Sequence, residues 1–415
     1  MTSTATTTGL VARTVVLPPG TEPDLLTIGG GPGGFLWHTE ELALAGRGVA
    51  LRIDGPVEQA ERILDLLATI PADDQVGGPG CGPVVLGALP FDDRPATRLV
   101  IPASVVGRAA DGRSWLTTVA RSGVAPTTLG LAELSALPAI APPDRFSLVS
   151  VRSHAEWSKL VEEAVGVVRA GRLAKVVLAR EVLVEANRPF VPADVLRRLH
   201  ALYPSCMLFS AEGFLGASPE LLVSRRGRQV RSQPLAGTVA RSGDPRADQR
   251  LTEAMMSSAK EREEHRLVVD EVAARLRPIC DRLDVPDSPS IVPLRNVSHL
   301  GTPIAGWLTS PAPTALELVA RLHPTPAVAG SPTGAAAAYL KVVEGFDRGH
   351  YGGPVGWMDA RGDGDWALGI RCAEVVADTA RLFAGVGVVA DSDPDAELAE
   401  TQLKLQALLA ALVRP

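Results

Sequence analysis

The sequence has few cysteines, no long apolar run and no secretory leader pattern. Its four cysteines, Cys81, Cys206, Cys280 and Cys372, are far apart and form no CxxC pair, which predicts reduced thiols buried as small core residues. No apolar run approaches the roughly 18 residues of a membrane span. Residues 1–8 lack a basic stretch followed by an apolar one, so we expect no secretory signal and a cytoplasmic location.

The chain also lacks the charge pattern of a nucleic-acid-binding protein. Its formal net charge is −6, and no basic stripe with interleaved aromatic residues is present, which argues against a nucleic-acid partner. Hydrophobic residues make up 46% of the 415 positions, enough for a large core. Length alone allows either one large domain or two ordinary ones.

The composition changes near residue 145. Residues 1–145 are rich in Gly, Pro and Ala and contain few residue types that catalyse reactions, and the segment 137–144 indicates a connector. From residue 146 the patterns are clearer, and we treat 1–145 as a variable N-terminal half of the fold and 146–415 as its catalytic region. They predict helices at 153–170, 246–283 and from Pro394, with Asp393 as the cap, a strand at 174–180, and meanders at 206–238 and 354–371. Consecutive strands separated by helices predict an α+β layered fold of mostly antiparallel sheets.

Two acidic helical segments carry the most informative chemistry. Glu261 and Glu264 are three residues apart, as are Glu397 and Glu400, so each pair shares one helix face. If the faces meet, four carboxylates converge, and they need a cation among them. Carboxylate oxygens with room for water suit Mg²⁺. The alternative is that both pairs lie on solvated helix faces, where such charges are common.

Two further residues, Lys175 and Glu220, have apolar neighbours in the sequence, which suits acid–base chemistry. Lys175 lies within an apolar predicted strand, where burial would favour its neutral form and allow it to act as a base. Glu220 also has apolar neighbours, and burial would keep it protonated as a general acid. The alternatives are a lysine that extends to solvent from an edge strand and a glutamate that forms an ion pair at a strand end.

Tight backbone segments at 234–238 and 384–387 can bring N–H groups close to a ligand. Arg371, predicted to lie on an apolar strand, is a candidate clamp for a carboxylate.

Two motifs suggest other functions. Gly29–Gly34 matches G-x-G-x-x-G with Asp54 twenty residues later, the pattern of a dinucleotide site. Bulky residues follow where a closely packed helix is needed, so we favour a glycine loop before a strand that begins at Phe35. Asp391, Asp393 and Asp395 resemble the start of a calcium loop, but the sixth and twelfth positions are Ala396 and Gln402, which rejects an EF-hand.

Eight segments in order give the region from about 150 to 410 a specific resemblance. They are KVVLAR (175–180), GASPE (216–220), PLAGT (234–238), KExxEH (260–265), HPTPAVAG (323–330), GPVGW (353–357), IRCA (370–373) and ExxExxxK (397–404). Together they resemble the chorismate-utilising enzymes, and the isochorismate synthases in particular. Residues 1–145 match only loosely, as expected for the variable half of that fold.

The resemblance implies a role for each acidic residue and for the two acid–base candidates. Glu264 and Glu400 would bind Mg²⁺ directly, and Glu261 and Glu397 would do so through water. The metal would hold the ring carboxylate of chorismate. Lys175 would deprotonate a water that attacks C2, and protonated Glu220 would donate to the departing C4 hydroxyl.

The resemblance also implies a set of substrate-binding residues. Arg371 would hold the enolpyruvyl carboxylate, and the others would seat the dianion or line the ring pocket: Gly237, Thr238, His299, Tyr351, Gly385, Gly387 and Lys404.

The resemblance implies water as the nucleophile, because ammonia-using relatives carry glutamine at the position of Lys175. We therefore expect an isochorismate synthase that acts as a monomer without an obligatory amidotransferase subunit. Three alternatives stay open: a salicylate synthase, which also eliminates pyruvate; an oxidoreductase that uses the Gly29–Gly34 loop; and an inactive chorismate-binding protein. The product could feed a siderophore, menaquinone or another pathway.

Overall fold

The computed structural model describes residues 9–53, 60–92, 98–123, 130–137 and 140–413. Residues 1–8, Asp54 and positions 138–139 of the expected connector lie outside these ranges. Within them, no helix combines the length and the apolar character needed to cross a membrane.

The helices of the described residues are distributed along the whole chain. They are α1 (Leu25–Gly30), α2 (Ala60–Ala68), α3 (Leu131–Leu134), α4 (His154–Arg169), α5 (Pro192–Leu202), α6 (Pro245–Ser257), α7 (Ala259–Leu276), α8 (Ala315–Leu322), α9 (Thr333–Val343) and α10 (Pro394–Val413).

The strands outnumber the helices and group into runs between them. The first half has β1 (Leu10–Val16), β2 (Gly34–His38), β3 (Leu42–Ile53), β4 (Ala72–Asp74), β5 (Val84–Ala88), β6 (Arg98–Ala109), β7 (Ser114–Arg121), β8 (Phe146–Ser150), β9 (Lys175–Ala186), β10 (Met207–Ala211) and β11 (Phe214–Ser218). The second half has β12 (Leu221–Arg226), β13 (Gln229–Gln233), β14 (Leu235–Ala240), β15 (Cys280–Asp284), β16 (Ser290–Pro293), β17 (Val297–Gly301), β18 (Ile304–Leu308), β19 (Gly330–Ser331), β20 (Pro354–Asp359), β21 (Gly364–Leu368), β22 (Cys372–Val376) and β23 (Thr379–Val388).

Two long antiparallel strand series share β6. The first runs β8–β9–β23–β22–β11–β10–β2–β3–β6. The second runs β6–β5–β20–β21–β12–β13–β18–β15. A separate small sheet has the order β14–β17–β16. Strands from residues 1–145 therefore pair directly with strands of the later region in both series.

The core follows the alternation of side chains along these strands. Phe35 and Trp37 of β2 pack between the two series, whereas Leu36 packs on the opposite face toward α1, α5 and α10. Trp357 of β20 faces the same middle layer, and Met358 faces the helices beyond the second series. Because neighbouring side chains on a strand point to opposite faces, the central strands of each series are buried on both sides, whereas the end strands β8 and β15 are exposed. This confirms the layered α+β fold.

Several predicted elements are confirmed. The helix expected at 153–170 is α4, the strand at 174–180 is the first part of β9, and the last helix begins at Pro394. Oδ1 of Asp393 accepts a hydrogen bond from the N–H of Ala396 at 2.9 Å, as its expected capping role requires.

The single helix predicted for 246–283 is wrong. Ser258 takes an extended backbone conformation and divides the segment into α6 and α7, and its side chain caps α7 by accepting from the N–H of Glu261. A 3₁₀ turn at Arg277–Ile279 and strand β15 then follow.

The glycine-rich loop does not open a nucleotide-binding helix. Gly29 and Gly30 end α1, and β2 begins at Gly34, so the expected strand at Phe35 is confirmed. A Cβ on Gly30 would lie 2.5 Å from the Cα of Ala193 in α5. Gly30 therefore lets α1 pack closely against α5, and Gly29, where a Cβ would lie 2.7 Å from Cβ of Leu36, lets α1 pack against β2.

Candidate active site

All fourteen residues singled out from the sequence line one cavity. Its walls come from β9 and β23, from the small sheet β14–β17–β16, and from helices α7 and α10. Segments from residue 175 to residue 404 therefore meet at one place.

The four carboxylates face the cavity from two helices, as the spacing predicted. Glu261 and Glu264 lie on α7, and Glu397 and Glu400 lie near the start of α10. The N–H of Thr238 in β14 donates a hydrogen bond to Glu261. Gly237 allows this approach, because a Cβ there would lie 2.8 Å from Oε2 of Glu261.

Three of these carboxylates form ion pairs with lysines. Nζ of Lys175 lies 2.9 Å from Oε1 of Glu264, and Nζ of Lys404 lies 2.6 Å from Oε1 of Glu400.

Lys260 forms the third pair, with its Nζ 3.4 Å from Oε1 of Glu397. The sequence interpretation missed this lysine as a site residue. Its position directly before Glu261 in the KExxEH segment was the signal that could have revealed it.

Burial and the nearby negative charges raise the pKa values of two of these carboxylates. Burial, followed by the neighbouring charge of Glu400, raises the pKa of Glu397 from 4.5 to about 7. Burial and the charges of Glu264 and Glu400 raise the pKa of Glu261 as well. A cation bound between the two helices would relieve this repulsion.

The donor set fits Mg²⁺ by its chemistry, because the facing groups are carboxylate oxygens with water access on one side. Glu400 keeps 28% of its side chain exposed, whereas Glu397 keeps 5%. In the described part of the chain, however, no group of three or more His, Cys, Asp or Glu side chains is already arranged around one point as metal ligands. Binding a metal would therefore require the lysine contacts to rearrange.

Glu220 is a buried carboxylic acid in the connection between β11 and β12. It is 4% exposed, and its Oε1 accepts a hydrogen bond from the N–H of Leu235 at 3.3 Å. Burial raises its pKa from 4.5 to about 7, against the opposing effects of that hydrogen bond and of Lys175 and Lys404. A substantial fraction of Glu220 is therefore protonated near neutral pH.

Arg371 does not lie on a strand, contrary to the sequence prediction. It sits between β21 and β22 with a φ of +51°, a left-handed conformation that is uncommon for a residue with a side chain. The turn directs its guanidinium toward the small sheet, where Nη2 lies 3.1 Å from Nε2 of His299.

His299 links Arg371 to β14. Arginine only donates hydrogen bonds, so Nε2 of His299 accepts and Nδ1 carries the proton. That Nδ1 lies 3.0 Å from the carbonyl oxygen of Gly237 and 3.2 Å from Oγ1 of Thr238. Burial and the charges of Arg371 and Lys404 lower the pKa of His299 from 6.5 to about 3, so this imidazole stays neutral.

Two glycines of β23 leave room for side chains that enter the cavity. A Cβ on Gly385 would lie 2.6 Å from the hydroxyl of Tyr351, and one on Gly387 would lie 2.2 Å from Oε1 of Glu264. The carbonyl of Gly385 accepts a hydrogen bond from Nζ of Lys404 at 2.9 Å. The ring of Tyr351 stacks on Phe383 with a centroid separation of 5.0 Å.

The rest of the lining is mainly apolar and was not identified from the sequence. It comprises Val177, Pro219, Leu235, Ala236, Ala327, Val328, Ile370, Phe383 and Ala384. The cavity thus combines cations, carboxylates and an apolar wall, which suits a small carboxylate-bearing ligand with a carbon ring.

The chain is similar in sequence and in fold to known proteins. A family model described as "Chorismate binding enzyme" matches residues 33–413. Isochorismate synthase DhbC of Bacillus subtilis (strain 168) is 40% identical over 341 residues, which cover 80% of this chain and 81% of that protein. Isochorismate synthase EntC of Escherichia coli (strain K12) is 34% identical over 361 residues, covering 86% of each. The structure of MenF, the menaquinone-specific isochorismate synthase from Escherichia coli, matches with a TM-score of 0.83 at 26% identity, covering 98% of this chain and 95% of that one.

Proposed function

This chain belongs to the chorismate-binding enzyme family, and we propose that it is an isochorismate synthase. It would convert chorismate to isochorismate by adding water at C2 and releasing the C4 hydroxyl. The observation that carries the proposal is the presence of Lys175 and Glu220 in one cavity that Arg371 also lines. These groups supply a base, an acid and a carboxylate-binding cation.

Arg371 and Lys404 would bind the substrate through its negative charges. The Arg371 guanidinium is buried and fixed by His299, so a carboxylate that meets it gains a charge-assisted hydrogen bond with little loss of side-chain freedom. Because His299 stays neutral, it orients the guanidinium without adding a second charge. Tyr351 and the backbone near Gly385 would complete the wall around the substrate.

The two acid–base residues would act in one displacement. Lys175 takes a proton from water as the water oxygen bonds to C2, the ring double bonds shift, and the C4–O bond breaks. Glu220 gives its proton to the leaving hydroxyl, which departs as water. The base role requires Lys175 to be a neutral amine, because only that form has a lone pair for the proton.

The proton transfers account for part of the rate enhancement. A positioned general acid or base contributes about 10²- to 10⁴-fold. Fixed cations around a charged substrate usually contribute more, because they need no reorganisation during the reaction.

We also propose that the enzyme depends on Mg²⁺. Glu264 and Glu400 would hold the ion directly, with Glu261 and Glu397 acting through water. When bound, the ion would neutralise and orient the ring carboxylate of the substrate. The raised pKa values of Glu261 and Glu397 support this assignment, because they arise from burial and, after it, from the charges of neighbouring carboxylates, and a bound cation would offset those charges.

The proposal extends to assembly and location. A reaction that uses water as its nucleophile needs no ammonia channel, so the chain would act without an amidotransferase subunit. We also propose that it acts as a monomer. Cys81, Cys206, Cys280 and Cys372 are all unpaired, which supports a reducing compartment such as the cytoplasm.

The direct test is to incubate the purified protein with chorismate and Mg²⁺, with and without EDTA, and to separate the products by chromatography. The proposal expects an EDTA-sensitive mixture of chorismate and isochorismate. Salicylate with pyruvate would instead assign the chain to the salicylate synthases. Unchanged chorismate would contradict both assignments.

A further inference from the structure

The strand that carries Lys175 has a gap along one edge. On that edge β19 pairs with Lys175 and Val176, and β8 pairs with β9 only from Val182 onward. Between these two stretches, none of the described strands pairs with this edge of β9. The gap begins at the carbonyl of Val177, whose N–H still donates to the carbonyl of Ala329 at 2.9 Å, and it includes Ala179.

Two side chains occupy the place of the missing strand. Nη2 of Arg348 donates to the carbonyl of Val177 at 2.7 Å, and Oε1 of Glu344 accepts from the N–H of Ala179 at 2.8 Å. The two side chains also bind each other, with Nε of Arg348 2.7 Å from Oε2 of Glu344. Both residues are 4% exposed.

Arg348 also contacts two other walls of the cavity. Its Nη1 donates to the carbonyl of Val328 at 2.7 Å, and its guanidinium lies 5.7 Å from the ring centroid of Tyr351. The guanidinium also lies 4.3 Å from the ring centroid of Phe91. Val177, Val328 and Tyr351 all line the cavity. Neither Glu344 nor Arg348 is among the described residues that do.

A buried ion pair of this kind is poorly explained by stability alone, since well-packed apolar residues often replace such pairs at no cost. An apolar pair here would leave the carbonyls of Val177 and Val328 and the N–H of Ala179 without partners. Each unsatisfied buried group costs about 1–3 kcal/mol. The planar guanidinium can reach several acceptors at once, which a lysine ammonium on a flexible stem cannot do in the same geometry.

We propose that Glu344 and Arg348 are positioning residues that complete the edge of β9 and thereby fix Lys175, Val328 and Tyr351 around the substrate. This proposal rests on the proposed function, because it assigns the pair to the alignment of Lys175 with a reacting water. Glu344 and Arg348 would act through the backbone of β9 and through the Tyr351 ring, and neither residue would contact the substrate.

The test variant is Arg348→Lys, which keeps the positive charge but loses the planar guanidinium that reaches several acceptors at once. We expect kcat to fall about 10- to 100-fold, the usual effect of a small misplacement of a catalytic group. KM for chorismate should change by less than about 3-fold, because Arg371 and Lys404 still bind the substrate. Glu344→Gln preserves the side-chain shape and provides the same test if Arg348→Lys does not fold.

A matched control is available in another buried arginine. Nη1 of Arg225 lies 2.8 Å from Oδ1 of Asp363 and 2.7 Å from the carbonyl of Arg361, and Arg225 is 8% exposed. It is not among the described residues that line the cavity. Arg225→Lys should lower Tm and leave kcat unchanged. If Arg348→Lys also lowers Tm and leaves kcat unchanged, the pair is merely structural and the proposal is overturned.

Hydrogen exchange separates this proposal from the proposed function. In Arg348→Lys, amides in a peptide covering residues 174–181 should exchange faster than in wild type, whereas Arg225→Lys should not change them. Exchange that is unchanged in Arg348→Lys overturns the positioning role even if the enzyme is an isochorismate synthase. Failure of the wild-type protein to form isochorismate overturns the proposed function and leaves the exchange result to decide whether the pair orders β9.

Discussion

Nζ of Lys175 lies 2.9 Å from Oε1 of Glu264, so the proposed base is bound to a proposed metal ligand. The two residues come from β9 and α7 and are almost fully enclosed, with 2% and 12% of their side chains exposed. An ammonium group in this ion pair has no lone pair, so Lys175 must first lose a proton before it can act as a base. Glu264 therefore lies where it can influence the base directly.

Gly387→Ala should disrupt this pair without unfolding the protein. The new Cβ would lie 2.2 Å from Oε1 of Glu264 and 2.7 Å from Cε of Lys175, both of which are side-chain ends that can move. Displacement of the base should lower turnover of chorismate at least about 10-fold, with a Tm close to that of wild type. Thermal melts and product chromatography on the same sample provide the measurement.

The control for that variant is Gly166→Ala in α4, where no other described atom lies within 4 Å of the added Cβ. Alanine stabilises a helix interior by about 0.5–1 kcal/mol relative to glycine, so Tm should rise slightly and turnover should not change. Full activity in Gly387→Ala would show that the Lys175–Glu264 contact is irrelevant to catalysis.

Lys175→Met should separate binding from chemistry. Methionine fills a similar volume but accepts no proton, so kcat should fall about 10²- to 10⁴-fold. Chorismate should still bind, because Arg371 and Lys404 are intact, and titration calorimetry would measure this. Lys159→Met, at an exposed lysine of α4, is the control and should behave as wild type. Turnover near the wild-type rate in Lys175→Met would end the base assignment.

Glu220 should give activity a pH dependence. Its pKa is raised from 4.5 to about 7 by burial, and only the protonated form can donate to the leaving hydroxyl. We therefore expect kcat to fall as pH rises through about 7. A kcat profile that is flat from about pH 6 to about pH 8 would contradict the general-acid role.

The same shift predicts the pH dependence of stability. Because the folded state holds this proton more tightly than the unfolded chain, the stabilising contribution is present at low pH and is lost as pH rises from 4.5 to about 7. The full difference corresponds to about 3 kcal/mol. Glu220→Gln should therefore be inactive, but at about pH 8 its Tm should be higher than that of wild type, because glutamine carries no buried charge. A Tm of Glu220→Gln below that of wild type at about pH 8 would contradict the burial cost assigned to the ionised carboxylate.

The sequence predicted elements with strong local signals. Helix α10 begins where Asp393 and Pro394 place it, because the cap and the first-turn proline act over three or four residues. The break at Ser258 was missed, since a serine inside an apolar periodic segment is compatible with a continuous helix. A local signal was nevertheless present, because Ser258 and Glu261 have the three-residue spacing of a helix N-cap, and Ser258 does accept from the N–H of Glu261.

The sequence also predicted which residues meet, but not how they pair. Lys404 and Glu400 are four residues apart on one helix, a spacing that predicts their contact. Lys175 and Glu264 lie far apart in the sequence, on β9 and α7, and only the tertiary fold brings them together. Nor could composition reveal the gap beside Ala179, because it depends on where β19 ends and β8 begins.

Glu400→Gln should weaken Mg²⁺ binding, because it replaces a charged oxygen donor with a neutral one. Loss of activity alone would be ambiguous, since Lys404 loses its partner in the same variant and could bind the substrate differently. We therefore expect calorimetric titration with Mg²⁺ to show an affinity lower by at least about 10-fold. Glu263→Gln is the matched control, because Glu263 lies on α7 one residue before Glu264 but is exposed and paired with Arg266. Its titration should equal that of wild type. Identical Mg²⁺ titrations for Glu400→Gln, Glu264→Gln and wild type would remove both residues as ligands and leave the carboxylates as partners of the lysines alone.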